Sequence, residues 1–240
     1  MGTNGDEKGF RTVWSERFRF LAHYVRHPNQ IGAVAPSSRS LADAICEPYR
    51  RSEGPVSILE IGAGTGAVTR HIGTLLRVGD EFDICEMQAG LVEILERDVL
   101  SLPTFVPGVK QKRIRMFCCP VQTLPFDKKY DFIISCLPLT SFSLEDVTSI
   151  FEVIKSQLKD GGVLSYFEYI ALRRTSRVFA VGRRRERVKQ VSSFLSRQIH
   201  DHEFARRAVF QNLPPAYARH LRFDDGSRHV RSSNSARAAG

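Results

Sequence analysis

The sequence predicts an α/β fold, a doubly wound parallel sheet with an amphipathic helix on its N-terminal side. Three observations carry this. Five apolar segments of strand length recur with helix-length intervals between them. The first of them ends abruptly in the alternating glycines Gly62-Ala63-Gly64-Thr65-Gly66, and the second closes on an acid, Glu86. Strands alternating with helices in this way build a parallel sheet whose ligands bind at the carboxyl ends of the strands.

Taken in order, residues 1–9 are Gly-rich and polar and are expected to be disordered. Between residues 10 and 27 the apolar Phe10, Val13, Trp14, Phe18, Leu21, Tyr24 and Val25 recur at helical spacing among Arg11, Arg17, Arg19, His23 and Arg26, and Pro28 ends the helix. A basic amphipathic helix carrying Trp and Phe suits a membrane interface. It equally suits a helix packed on the core with a solvated basic face. A small-residue loop, Ile31 to Ser38, precedes a helix from about Ser40 to Tyr49, and Ser37 or Ser38 serves as its ordinary N-cap.

The strand Val56 to Ile61 then runs through the glycines into a helix over Thr69 to Leu76. Phe82 to Glu86 is a second strand and Leu91 to Leu100 a helix, with further strands over Ile114 to Cys119 and Tyr130 to Cys136. A helix over Leu144 to Leu158 stops at Asp160-Gly161-Gly162 before a fifth strand, Val163 to Ile170. Basic residues dominate from Arg173 to Arg207, which reads as a solvated face, and Asn212-Leu213-Pro214-Pro215-Ala216 is a turn before a last strand. The Ser/Arg/Ala/Gly-rich residues 224–240 are expected to form a disordered tail, which leaves one domain over residues 10–223.

Composition narrows the function classes. With 240 residues, 42% hydrophobic and 25% charged, the chain has the make-up of a globular protein with a full core. A net charge of +9 favours polyanions, either nucleic acid or an anionic membrane surface. The five cysteines, Cys46, Cys85, Cys118, Cys119 and Cys136, show no metal or disulfide spacing, so reduced thiols in the cytoplasm are expected and no metal is assigned. No apolar run approaches the roughly 20 residues that span a bilayer, so any membrane contact is peripheral.

The glycine turn admits backbone N–H groups and a helix N-terminus to a ligand, as nucleotide-type cofactors require. Gly62-x-Gly64-x-x-Ala67 also satisfies the dinucleotide pattern, and Glu86, twenty residues after Gly66, stands where either cofactor class places a carboxylate on ribose hydroxyls. Glu60 separates the two. It is an acid inside the strand, where a nicotinamide site tolerates only an apolar residue, and burying it is costly unless it has a partner.

Glu60-Ile61-Gly62-Ala63-Gly64-Thr65-Gly66 resembles the first motif of the Rossmann-like S-adenosylmethionine-dependent methyltransferases. The resemblance implies that Glu60 orders the loop at the amino-acid end of S-adenosylmethionine, that Gly62, Gly64 and Gly66 line the cofactor, and that Glu86 binds ribose. Many relatives carry Gly-Asp-Ala at the end of the third strand, with the Asp on adenine. Here Cys119-Pro120-Val121 stands in its place, so adenine recognition falls to backbone near Val121.

Four further stretches extend the likeness from Phe18 to Phe223: Phe20-Leu21 through Val34-Ala35-Pro36-Ser37-Ser38, Ser135-Cys136-Leu137-Pro138-Leu139, Tyr166-Phe167-Glu168-Tyr169, and Asn212-Leu213-Pro214-Pro215-Ala216. Together they are similar to the soluble bacterial phospholipid N-methyltransferases. That family implies methylation of the amine of phosphatidylethanolamine or its partly methylated forms, with an ornithine-type amino-acid lipid as the alternative acceptor. It also implies an N-terminal membrane-binding helix, here residues 10–27, and a monomer peripherally associated with the inner face of the membrane is expected.

Ser38 then joins the cofactor-binding residues, and Tyr24, Tyr169 and Ser135 are the catalytic candidates. Tyrosine rings hold cationic headgroups by cation–π contact, and His23 and Glu168 are further polar candidates. The competing class is an RNA or DNA adenine N6-methyltransferase, which a basic surface suits equally. Ser135 stands where those enzymes place Asn or Asp, so nucleic acid is not the expected partner. A nucleotide-binding protein without catalysis is a third reading.

Overall fold

The computed structural model describes residues 38–170, 183–212 and 214–223. The expected helix over residues 10–27, with Tyr24 and His23, and the tail over residues 224–240 lie outside the described residues.

The elements run α1 (Arg39–Ile45), α2 (Glu47–Arg50), β1 (Ser57–Ile61), α3 (Ala67–Leu75), β2 (Glu81–Cys85) and α4 (Ala89–Leu95), which continues as a π-helical turn, Glu96–Leu100. Then follow α5 (Val106–Lys110), β3 (Ile114–Phe117), β4 (Tyr130–Ser135), α6 (Leu144–Gln157), β5 (Leu158–Tyr169), α7 (Arg183–His202), β6 (Glu203–Val209) and β7 (Ala216–Arg222). The strands form one seven-stranded sheet in the order β3-β2-β1-β4-β5-β7-β6.

The predicted parallel sheet is present in β1 to β5. The whole sheet is mixed, however, because β7 pairs antiparallel with both β5 and β6. The basic stretch read as a solvated face contains two regular elements, α7 and β6. Five consecutive residues of β6 are exposed, so this edge strand lacks the alternation that announces a strand. Helix α7 buries only a stripe, Val188, Val191, Ser192 and Leu195.

Helices cover both faces. On one, Leu41, Ile45 and Tyr49 of α1 and α2 and Ile72 of α3 pack on Ile58, Ile84, Phe132 and Ile134. On the other, Ile150, Phe151 and Ile154 of α6 and Leu195 of α7 pack on Leu59, Ile133, Leu164 and Tyr166. Ser143 starts α6 with a capping box, its hydroxyl accepting from Asp146 N at 3.1 Å while the Asp146 carboxylate accepts from Ser143 N at 3.3 Å. The expected break at Asp160-Gly161-Gly162 is real but lies within β5. Pairing jumps from Tyr130↔Leu158 to Phe132↔Val163, and Gly161 takes φ 73° in the bulge.

Asp80 fixes the amino ends of β1 and β2 to each other. Its buried carboxylate accepts from the Tyr49 hydroxyl at 2.7 Å and from the backbone N–H of Val56 and Arg77, each at 2.9 Å. Among the described residues no helix is long and apolar enough to cross a membrane. Asp80→Ala leaves the buried Tyr49 hydroxyl and two partly buried amides without their acceptor and is expected to lower unfolding free energy by about 3–5 kcal/mol. Urea denaturation with an unchanged slope is the check.

Candidate active site

The site lies across the carboxyl ends of β1, β2 and β4. Ile61 ends β1 with its carbonyl accepting from Cys136 N at 2.8 Å, while Gly62 N donates to the Cys85 carbonyl at 2.8 Å, so the glycine turn leaves the sheet clamped on both sides. Gly62, Gly64 and Gly66 adopt φ of 75°, 59° and 81°, the left-handed region in which side chains are strained. A Cβ on Gly62 would meet Leu137 at 2.5 Å, whereas one on Gly64 would meet nothing within 4 Å. Gly62 therefore answers to packing, and Gly64 faces open space where a ligand can approach the backbone. Gly66 caps α3 with no side-chain bond, which leaves the first-turn amides pointing at the same space.

Two buried carboxylates face this turn. Glu86, 5% exposed, accepts from Gly64 N at 3.0 Å and Gln88 N at 2.9 Å. Burial raises its pKa against the lowering pull of these amides. Glu60 is fully buried in β1. Its Oε1 accepts from the Cys136 thiol at 3.7 Å, and its Oε2 has no hydrogen-bond partner. Burial pushes its pKa up to about 7, opposed by Thr69 and Cys136 and reinforced by Glu86. A buried carboxylate oxygen lacking a donor, beside a turn with open room, fits a ligand that brings a cationic ammonium.

The other candidates lie on the elements that surround these strands. Ser38 caps α1, its hydroxyl accepting from Leu41 N at 3.2 Å, and its own N–H donates to Asn212 Oδ1 at 2.9 Å. Asn212 is buried in the β6–β7 connection and also donates to the Pro214 carbonyl at 2.8 Å. Val121 opens a 3-10 turn, Val121–Thr123, after β3 and is buried. Ser135 ends β4, with Ile61 of β1 on one side and Tyr166 of β5 on the other. It is 1% exposed, and its hydroxyl has no partner.

Tyr169 ends β5 with its ring 5.3 Å from Phe167 in a T-shaped contact. It lines a recess shared by Leu139, Thr140, Ser141, Tyr166 and Glu168. The structure thus gathers Glu60, Gly62, Gly64, Gly66, Glu86 and Ser135 around one turn, and places Tyr169 beside Glu168 at the recess.

Two partners of the recess were not singled out from sequence. Arg219 of β7 donates from Nε to Glu168 at 3.0 Å and from its terminal nitrogen to Glu203 of β6, so three charged groups meet nearly out of solvent. The preceding turn predicts a last strand here, and only the antiparallel pairing with β5 shows that Arg219 meets Glu168.

Comparison with known proteins agrees with this geometry. Residues 58–162 match the family model described as a methyltransferase domain. The fold is that of the S-adenosylmethionine-dependent methyltransferases. An enzyme of that type from Clostridium acetobutylicum superposes with a TM-score of 0.55 at 12% identity, covering 88% of this chain and 99% of the other. The N-methyltransferase NodS from Bradyrhizobium japonicum, in complex with S-adenosyl-L-homocysteine, gives 0.54 at 13% identity, covering 86% and 97%. A curated relative, the ornithine lipid N-methyltransferase of Singulisphaera acidiphila, is 26% identical over 148 residues, which are 62% of this chain and 75% of the relative.

Over residues 58–162 the chain is similar to a methyltransferase domain, and the NodS structure it resembles holds S-adenosyl-L-homocysteine. The Glu60 and Gly64 geometry fits that group.

Two expectations follow. Glu60 titrates at about 7 in the fold against 4.5 for the ordinary group, so the native ligand-free state holds an extra proton between those values. Its contribution to stability therefore falls as pH rises from 4.5 through 7, by up to about 3 kcal/mol. His220, lowered to about 4 by burial, acts with the opposite sign over its own range. The test is accordingly the difference between Glu60→Gln and wild type in chemical denaturation, which should grow with pH across that window. Gly64→Val fills the open approach and imposes strain, and should abolish S-adenosyl-L-homocysteine binding in calorimetry while the fold persists.

Proposed function

We propose that this chain N-methylates the amine of a membrane aminolipid. The observation that carries the reading is Ser135, a buried hydroxyl lacking a partner. It lies between the glycine turn and a recess lined by Tyr166, Glu168 and Tyr169. Bound S-adenosylmethionine supplies an electrophilic methyl group, and the protein supplies position. An amine attacks only with a neutral lone pair in line, so the acceptor must be desolvated and shed a proton. Ser135 offers the amine a hydrogen-bond acceptor there. The aromatic rings suit a cationic headgroup before deprotonation.

Two headgroups meet these demands. Phosphatidylethanolamine follows from the ordered stretches that the sequence shares with phospholipid N-methyltransferases. Ornithine lipid is favoured by the curated relative that methylates that lipid. Both present an amine at an anionic surface, which the net charge of +9 suits. We assign the attachment to residues 10–27, on a monomer working at the inner face of the membrane.

The test supplies labelled S-adenosylmethionine and liposomes containing either lipid, with RNA as a third arm. Label in lipid is expected, and label in RNA alone would overturn the reading. Ser135→Ala should lower turnover by roughly tenfold or more, the loss of one hydrogen bond to the reacting group, while S-adenosyl-L-homocysteine affinity is kept. Deleting residues 10–27 should abolish co-sedimentation with anionic liposomes.

A further inference from the structure

Three of the five cysteines converge where β2 and β3 end. Parallel pairing sets Cys85 beside Phe117, so the residues that follow β3, Cys118 and Cys119, emerge next to Cys85. The Cys85 thiol donates to the Cys119 carbonyl at 3.1 Å. Cys85 is 2% exposed, Cys119 is half-buried and Cys118 is exposed, with its sulfur 4.0 Å from the Met87 carbonyl.

This cluster borders the candidate cofactor site on two sides. Cys85 directly precedes Glu86, whose carboxylate holds Gly64 N. Cys119 leads through Pro120 into the Val121–Thr123 turn.

From this arrangement we infer that Cys119 and Cys85 form a peroxide-sensitive pair whose disulfide weakens cofactor binding. The inference rests on reading the Gly62–Gly66 turn as the S-adenosylmethionine site. Cys119 is the attacking sulfur, since it is the more accessible of the two. Interaction between the two thiols lowers the Cys119 pKa, against the raising effect of burial and with help from Thr123, and raises that of Cys85, which burial raises further, so Cys119 ionises first.

The chemistry balances with a hydroperoxide as oxidant. The Cys119 thiolate attacks one peroxide oxygen, the O–O bond breaks, hydroxide leaves and a sulfenic acid forms. The Cys85 sulfur displaces the sulfenic oxygen, which departs as water with the thiol proton, and the S–S bond closes. Cys118 is the poorer second partner. Consecutive Cα atoms lie only about 3.8 Å apart, below the roughly 4.4–6.8 Å that a relaxed disulfide spans.

Closing the bond removes the contact from the Cys85 thiol to the Cys119 carbonyl and draws the exit of β3 toward β2. Both the backbone at Val121 and the carboxylate of Glu86 must then shift. Losing one charge-assisted contact to ligand corresponds to roughly tenfold weaker binding or more.

The experiment treats the full chain with hydrogen peroxide, then divides it between tryptic mass spectrometry and calorimetry with S-adenosyl-L-homocysteine. Expected are a cross-linked pair of peptides lacking two hydrogens, one containing Cys85 and the other Cys118 and Cys119. Affinity should fall at least about tenfold and be restored by dithiothreitol. The link should vanish in Cys85→Ser and in Cys119→Ser and persist in Cys118→Ser. Oxidation confined to Cys118, or linked protein that binds as tightly as reduced protein, would overturn the inference. Reduced protein that binds no S-adenosyl-L-homocysteine would instead overturn the cofactor reading, because the peptide map reports on the thiols independently.

Discussion

The bond from Gly64 N–H to the Glu86 carboxylate is the contact on which the site depends. It ties the turn that ends β1 to the residue that follows β2, and the same carboxylate takes Gln88 N, so one side chain sets the exits of two adjacent strands. Gly62 N on the Cys85 carbonyl repeats the tie in backbone. Without these, the left-handed glycines would have little to hold them, since three such residues in five positions are an entropic burden on folding. The cost is two carboxylates out of water: burial raises the pKa of both acids in the ligand-free molecule, and at Glu60 the charge of Glu86 adds to it. A cofactor bearing a positive charge relieves it, so the residues that destabilise the empty site are those that favour the occupied one.

Charge is therefore segregated. The chain as a whole is basic by +9, yet the acids Glu60, Glu86 and Glu168 are gathered inside the site end of the sheet. For the function we propose, a basic exterior would suit an anionic surface and the buried acids of the glycine turn a cationic group.

How far the sequence discloses this depends on the range of the interactions. Strands β1 to β4 are legible because each is an apolar run closed by a local signal: glycines after Ile61, an acid after Cys85, Cys-Pro after Phe117 and Leu-Pro after Ser135. The glycine turn and its two acids are legible for the same reason, since Glu60 and Glu86 declare themselves by spacing along a single β-α-β unit. Strand β6 is not. Phe204-Ala205-Arg206-Arg207-Ala208 faces solvent throughout, so no core imposes a pattern on it. The bond from Ser38 N to Asn212 crosses 174 residues and that from Arg219 to Glu168 crosses 51, and nothing in the neighbourhood of any of the four residues points to its partner. Topology, rather than residue type, creates those contacts.

That topology divides the labour of the site. Strands β1, β2 and β3 bring only backbone and acids to the cofactor end, a set fixed by one ligand and written into local motifs. The acceptor end is built by β4, β5 and the antiparallel β7, where Arg219 stands opposite Tyr166 and Ala216 opposite Tyr169. An antiparallel strand beside β5 reverses which end carries its connection, so the β6–β7 link returns to the carboxyl end of the sheet. From there Asn212 holds the start of α1. Ser135 stands at the seam, paired to Ile61 of β1 and Tyr166 of β5. In the reaction we propose, its unpartnered hydroxyl would stand between cofactor and acceptor, the position that a group acting on the amine has to occupy.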